Sequence, residues 1–365
     1  MINQKKTRSL YIHIPFCKNI CPYCDFIKFI YNESFLSNYL VEIEKDLDKL
    51  IEQKFKFKTI YIGGGTPSIL SDEQLEKLLS KIEPLKDFSC EFTIEANPES
   101  ITESKLQILN KHEVNRISIG IQSFNKSILK EIGRDFDVDY FTLIELVKKY
   151  VENINVDLIY GFENETEEIL KEDLANFIKL DIDHISIYSL TIYPNTVFAV
   201  KGKKEQKEED SRSFYNLILS TLREHGYERY EVSNFARNKK YSNHNLTYWN
   251  NEEYVGIGVG SSGYENGIRY TNSGNLSSYL KGERNKEEEK VSLFSKMEYH
   301  LITSSRLEKG LSLPLFKNLY GVDFFEKFPK SKQFIEQKLL KIDGDYIHCT
   351  DEGMLLLDYI LLRIL

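Results

Sequence analysis

The chain has 365 residues, enough to bury a large core as two domains or as a barrel with an addition. Its 41% hydrophobic and 28% charged content is that of an ordinary globular protein, and a net charge of −8 argues against a nucleic-acid binder, which needs a basic face. No apolar run approaches membrane-spanning length, and the segment before Leu10 lacks a signal-peptide apolar region, so no membrane span and a cytoplasmic location are expected.

The first predicted strand, Leu10–Pro15, runs directly into Cys17-Lys-Asn-Ile-Cys-Pro-Tyr-Cys24. A short loop can turn three thiolates inward around one metal centre. A [4Fe–4S] cube normally takes four cysteines, so three local ligands, Cys17, Cys21 and Cys24, leave one iron open to a small molecule. A structural zinc would want two ligand pairs, and Cys90 and Cys349 are lone and far apart. His13 could serve as a fourth zinc ligand, but it belongs to the apolar alternation of the preceding strand. Five cysteines are too sparse for a disulfide framework. Cys90 and Cys349 read as small buried apolar residues.

Further strands are predicted at Thr59–Ile62, Cys90–Glu95, Arg116–Ser123, Ile154–Tyr160 and His184–Ile192. Between them, apolar residues at three- and four-residue steps predict helices over Phe35–Lys54, Asp72–Lys81, Glu103–Lys111, Val138–Val151 and Glu165–Leu180. Six strand–helix units imply an α/β fold with parallel pairing and right-handed crossovers: a partial (β/α)6 barrel over residues 1–200, short of the eight units of a full barrel. Residues 201–285 read as an extension or junction. They hold a helix at Arg212–His225, an extended piece at Tyr227–Phe235 and an aromatic, glycine-rich stretch at Asn243–Tyr270. Lys286-Glu-Glu-Glu-Lys290 reads as a polar junction before a largely helical C-terminal unit, 286–365. There Leu339–Ile342 and Tyr346–Cys349 predict a hairpin and Glu352–Leu365 a last helix, an α+β, winged-helix-like domain.

Polar and glycine residues collect at the strand ends, where α/β barrels do their work. The cysteine loop follows strand one and Gly63-Gly-Gly-Thr-Pro67 follows strand two, a glycine run that would let backbone amides approach a ligand. Glu95 closes strand three, Gln122 strand four, and Asp157 lies in strand five.

With these pieces in order, the chain resembles the radical S-adenosylmethionine (SAM) superfamily. Within it, the resemblance is to the oxygen-independent coproporphyrinogen III oxidase-like family and its heme chaperone (HemW) branch. Tyr11-Ile-His-Ile-Pro-Phe-Cys17, Glu95-Ala-Asn-Pro98, Gly120-Ile-Gln-Ser-Phe124, Asp157-Leu-Ile-Tyr-Gly161, Tyr188-Ser-Leu-Thr191, Glu231-Val-Ser-Asn-Phe235 and His244-Asn-Leu-Thr-Tyr-Trp249 carry it. The resemblance implies a [4Fe–4S] cluster on the three cysteines, with SAM on the open iron and reductive cleavage to methionine and a deoxyadenosyl radical. By matching position it makes Tyr11, Tyr23, Gly64, Gly65, Thr66, Glu95, Gln122, Arg134 and Asp157 SAM-pocket residues, and His244 a candidate heme ligand. It also implies an electron donor for the cluster, and heme or a porphyrin with a heme-acceptor protein as partners.

Two branches compete: an oxidase that decarboxylates coproporphyrinogen III, and a chaperone that delivers heme. Phe26 stands where the oxidase pattern has a fourth cysteine, only ten residues precede Tyr11, and the H-N-x-x-Y-W signature belongs to the chaperone branch. The chain departs from the family at Phe162-Glu-Asn-Glu-Thr166, where L-P-G-Q-T is expected, and at Ser262, where a histidine is expected.

Overall fold

A computed structural model describes residues 8–365; the segment before Arg8, most of the arm that precedes Tyr11, lies outside the described residues. Six strands form the centre: β1 (Arg8–Ile14), β2 (Phe57–Gly64), β3 (Lys86–Ala96), β4 (Arg116–Gln122), β5 (Asn153–Tyr160) and β6 (His184–Ser189). They pair parallel with their neighbours in chain order, and the sheet does not close. This is the expected partial barrel.

Side chains alternate across each strand. Leu10, Ile12, Ile60, Ile62, Ile117 and Ile119 join the main apolar core with the helices, such as Leu36, Leu40 and Ile43 of Glu33–Glu52. The alternate positions turn a polar face inward: Thr59, Ser118, Asn155, His184 and Ser186 are all buried. The connecting helices start at side-chain caps, with Asn32, Ser71, Thr102, Asp139 and Thr166 each accepting an N–H of the first turn. The expected Val138–Val151 helix is shorter, Tyr140–Val147, and is preceded by a short helix, Lys126–Glu131.

The sheet continues past the barrel on both sides. β7 (Glu228–Glu231) and β8 (Asn234–Ala236) extend the β6 edge, while β9 (Tyr254–Ile257) pairs parallel with β1. β10 (Ser262–Glu265), β11 (Ile268–Asn272) and β12 (Lys286–Lys290) follow antiparallel, giving a 12-stranded sheet. The stretch expected to be a polar junction is therefore a strand of the main sheet, and that sheet runs on past residue 286.

A second apolar core gathers Met297, Leu301, Phe316, Phe324, Phe334 and Ile360 around a three-stranded sheet of β13 (Leu311–Ser312), β14 (Leu340–Asp343) and β15 (Tyr346–Cys349). The expected hairpin is β14–β15, and the last helix is split into Asp351–Leu355 and Leu357–Ile364. Cys90 packs in the first core and Cys349 in the second. Arg229, its side chain 1% exposed, joins the two parts by ion pairs to Glu308 and Asp351.

The end of β1, where the cysteine loop departs, is held by the buried Tyr39. Its hydroxyl donates to the His13 carbonyl (2.8 Å) and accepts from the Val259 N–H (3.0 Å). Tyr39→Phe leaves both groups without a partner, so a loss of about 1–3 kcal/mol is expected in urea unfolding. An unchanged midpoint would show that this tether is dispensable.

Candidate functional site

The chain leaves β1 through Pro15 and closes its loop by pairing Phe16–Cys17 with Phe29–Ile30. His13, weighed above as a zinc ligand, is instead a strut for that loop. Its Nε2 donates to the Ile27 carbonyl (2.9 Å), which leaves Nδ1 to accept from the Tyr11 hydroxyl (2.9 Å). Burial lowers its pKa, which suits the neutral ring that this pattern needs. Lys28 Nζ reaches the Cys24 and Phe26 carbonyls (2.5 and 3.0 Å).

The three cysteines line one cavity of about 410 Å³ at the C-terminal ends of the barrel strands. Of the expected SAM-pocket residues, Tyr23, Gly64, Gly65, Thr66, Glu95, Gln122, Arg134 and Asp157 also line it, and Tyr11 does not. Arg134 Nε donates to Cys21 Sγ (3.4 Å) and its Nη1 to the Gly120 carbonyl (2.6 Å). A Cβ at Gly120 would come within 2.9 Å of Nη1, so the glycine makes room for the guanidinium. Thr66 Oγ1 approaches Cys17 Sγ at 3.5 Å. Burial raises the pKa of Cys17 and of Cys24, so thiolates here need a compensating positive charge.

Two carboxyls face the same space. Glu95 accepts from the Tyr61 hydroxyl (2.8 Å) and the Gly64 N–H (2.9 Å), and burial pushes its pKa up to about 7. Asp157 accepts from Asn155 Nδ2 (2.8 Å) and Ser118 Oγ (3.4 Å), and burial raises it as well. Gln122 sits at φ 74° at the end of β4, and its buried Oε1 has no donor among the described residues. A left-handed non-glycine residue costs on the order of 1 kcal/mol, and here it carries an unsatisfied acceptor at the cavity wall.

The glycine run also answers to its neighbours inside the fold. A Cβ at Gly63 would strike Tyr61 and Glu95 (2.8 and 2.9 Å), at Gly64 the His13 ring (2.4 Å), and at Gly65 the backbone of Pro15 and Phe16 (2.8 Å). The run is small because β2 lies directly beside β1 and the root of the cysteine loop at Gly64 and Gly65, and under the Tyr61 and Glu95 side chains at Gly63. Gly64 also needs its φ of +119° to aim its N–H at Glu95.

Two of the expected site residues lie outside the cavity lining. Tyr11 lies behind the cavity, its ring near Tyr61 (6.0 Å) and His244 (6.5 Å) and its hydroxyl on His13. His244 is 1% exposed, with Nδ1 bonded to Thr59 Oγ1 (2.8 Å) and Nε2 to the Tyr248 hydroxyl (2.7 Å). Both nitrogens are taken and burial lowers its pKa to about 3, so as folded it offers no nitrogen to a heme iron. Ser262 lies on outer strand β10 against Thr271 and does not line the cavity. Lining residues not singled out from the sequence include Asn97, Ser118, Tyr188 and Tyr193. Asn97 and Tyr188 belong to the Glu95-Ala-Asn-Pro98 and Tyr188-Ser-Leu-Thr191 runs; Ser118 and Tyr193 carry no local signal.

The residue set fits an iron–sulfur cluster with a small zwitterionic ligand. Three thiols share one wall, a guanidinium and a hydroxyl touch two of the sulfurs, and carboxyl and amide oxygens stand across from them. Among the described residues no three ligand side chains are already gathered as a closed ion-binding set.

The Radical SAM superfamily model matches residues 11–177 and the HemN C-terminal domain model residues 296–356. The chain is 39% identical to heme chaperone HemW of Lactococcus lactis, over 96% of this chain and 95% of that protein. It is 37% identical to heme chaperone HemW of Bacillus subtilis (96% and 97%) and 31% to that of Escherichia coli (97% and 97%). The solved coproporphyrinogen III oxidase HemN of Escherichia coli superposes with a TM-score of 0.86 at 21% identity, over 99% of this chain and 91% of that one. At that identity the likeness is one of fold.

Glu95 gives the cofactor-free protein a pH signature. Its folded pKa of about 7 lies above its ordinary value of 4.5, so the folded state holds the proton more tightly. The stability this gives is full below about 4.5 and is lost as pH rises through 7. Glu95→Gln should therefore flatten unfolding free energy against pH across that window by up to one proton. A variant curve parallel to wild type would refute the assignment.

Proposed function

Because the chain belongs to the heme chaperone HemW family of the radical SAM superfamily, we propose that it binds heme and passes it to an acceptor protein, from a site that also holds a [4Fe–4S] cluster and SAM. Cys17, Cys21 and Cys24 would hold the cluster, and the wall formed by Gly64, Thr66, Glu95, Gln122 and Asp157 would take SAM. The bound, reduced cluster supplies one electron for reductive cleavage of the SAM sulfonium.

The remaining roles belong to the chain. Arg134 offsets thiolate charge at Cys21. Gln122 Oε1 is an open acceptor for a ligand N–H or O–H. Glu95, fixed by Tyr61 and Gly64, presents an oriented carboxyl to hydroxyls or an ammonium. The strands and the cysteine loop keep the space partly shut from water.

The observation that carries the heme reading is the cavity mouth. Phe26, 66% exposed, lines it together with Tyr188 and Tyr193, which are 42% and 44% exposed. Ile20 and Ile30 add 38% and 56% exposed apolar surface on the same loop. Exposed aromatic side chains beside a cofactor cavity suit a flat apolar macrocycle. No helix among the described residues is long and apolar enough to cross a membrane. We place the protein in the cytoplasm, where reduced thiols and an electron donor are at hand.

Two outcomes are expected from anaerobically reconstituted protein. Cys21→Ala should lose most cluster iron and its visible absorbance, and retention of both would remove Cys21 from the ligand set. Wild type should take up heme stoichiometrically and release it to an apo-hemoprotein, and Phe26→Asp should weaken uptake about tenfold, the loss of the apolar area one exposed ring would bury against the macrocycle. Decarboxylation of coproporphyrinogen III would instead make the protein an oxidase and overturn the chaperone reading.

A further inference from the structure

We infer that His244 is a positioning residue for the SAM pocket: it fixes Tyr61 where its hydroxyl holds Glu95. The inference rests on the SAM-pocket reading above.

Thr59 and Tyr61 are alternate residues of β2 and share one face. His244 engages both, through its hydrogen bond to Thr59 and by stacking on Tyr61, with centroids 5.0 Å apart and planes 29° from parallel. The ring cannot turn away, because Tyr248, one helical turn on, binds its other nitrogen. From Tyr61 the connection is direct: the hydroxyl donates to Glu95 Oε1, and Glu95 Oε2 takes the Gly64 N–H.

The helix that carries His244, Asn243–Trp249, is itself set by the strand that carries Glu95. The Glu91 carboxylate accepts from Asn243 N and Nδ2 and from His244 N, each at 2.9 Å, and Glu91 pairs in register with Thr59. Ser9 of β1 binds Thr247 at 2.8 Å on the same helix. The H-N-x-x-Y-W segment therefore keys three barrel strands from behind. Ligating a heme iron through His244 would require breaking the Thr59 or the Tyr248 bond and drawing a buried ring out of this packing.

The test measures SAM binding by equilibrium dialysis, and heme stoichiometry by absorbance, on reconstituted wild type, His244→Ala, Tyr61→Phe and the double variant at equal cluster content. His244→Ala and Tyr61→Phe should each weaken SAM binding about tenfold and leave heme stoichiometry unchanged. The double variant should lose no more than the larger single effect, because both act through Glu95. Heme loss with unchanged SAM affinity would overturn the inference, as would additive losses. If His244→Ala does not fold, Tyr61→Phe, which deletes one hydroxyl, decides alone: unchanged SAM affinity overturns it. Wild type that binds no SAM at all would overturn the pocket reading and this inference with it, and the wild-type control separates that failure from the others.

Discussion

Burial of the Glu95 carboxyl is the constraint around which the site is organised. A carboxyl removed from water must be hydrogen-bonded or protonated, and at Glu95 both answers are in play: two donors reach it, yet burial still pushes its pKa to about 7. The Gly64 donor exists only because Gly64 sits at φ +119°, with the His13 ring where its side chain would be. His13 in turn props the cysteine loop through Ile27. One electrostatic requirement on β3 thus reaches, through β2, the loop that leaves β1.

The same logic extends across the polar inner face of the barrel. Asn155 binds Ser118 and Asp157, and His184 binds Asn155 and the Tyr230 hydroxyl. Ser186 bridges Asn155 to Asn234 on the edge strand. A one-residue slip of any strand would turn its member of this network into the apolar layer and leave its partners unsatisfied. The network therefore fixes the register that brings Gly120 opposite Asp157 and Glu95 opposite Ser118 at the cavity floor. Burial keeps His184 neutral, which lets it join the chain without adding charge next to Arg116.

What was legible in the sequence was local. Strands one to six announced themselves by apolar runs, and the cavity residues by polar interruptions at the ends of those runs. Lys286–Lys290 could not be read as a strand, because every residue in it is exposed and charged. It is held by backbone pairing to β11 and by the Tyr299 hydroxyl, which donates to Glu289, and its charges suit an edge that must not recruit another chain. The family pattern puts Tyr11 and His244 at the site, and the structure sets both outside the cavity lining. Their position depends on strand register and on the packing of a distant helix, which no local motif states. The glycine run was legible as a place where backbone amides could approach a ligand; that its neighbours His13, Pro15, Phe16 and Glu95 also exclude a Cβ depends on strand pairing and was not legible.

The two segments expected to depart from the family pattern lie outside the cavity lining. Ser262 lies on β10, an outer strand, and a changed side chain there bonds Thr271 without reaching the floor. In the Phe162–Thr166 loop, Glu165 accepts from the Gly161 and Phe162 N–H groups, so its carboxyl supplies the local closure of the turn. That carboxyl is buried and raised to about 7, a burial cost that the two N–H bonds partly offset. Phe162 is meanwhile packed at 1% exposure, which anchors the loop by apolar contact. Both segments are held by hydrogen bonds and packing outside the three-cysteine wall, whereas beside Glu95 a side chain at Gly63, Gly64 or Gly65 would meet a neighbour within 3 Å.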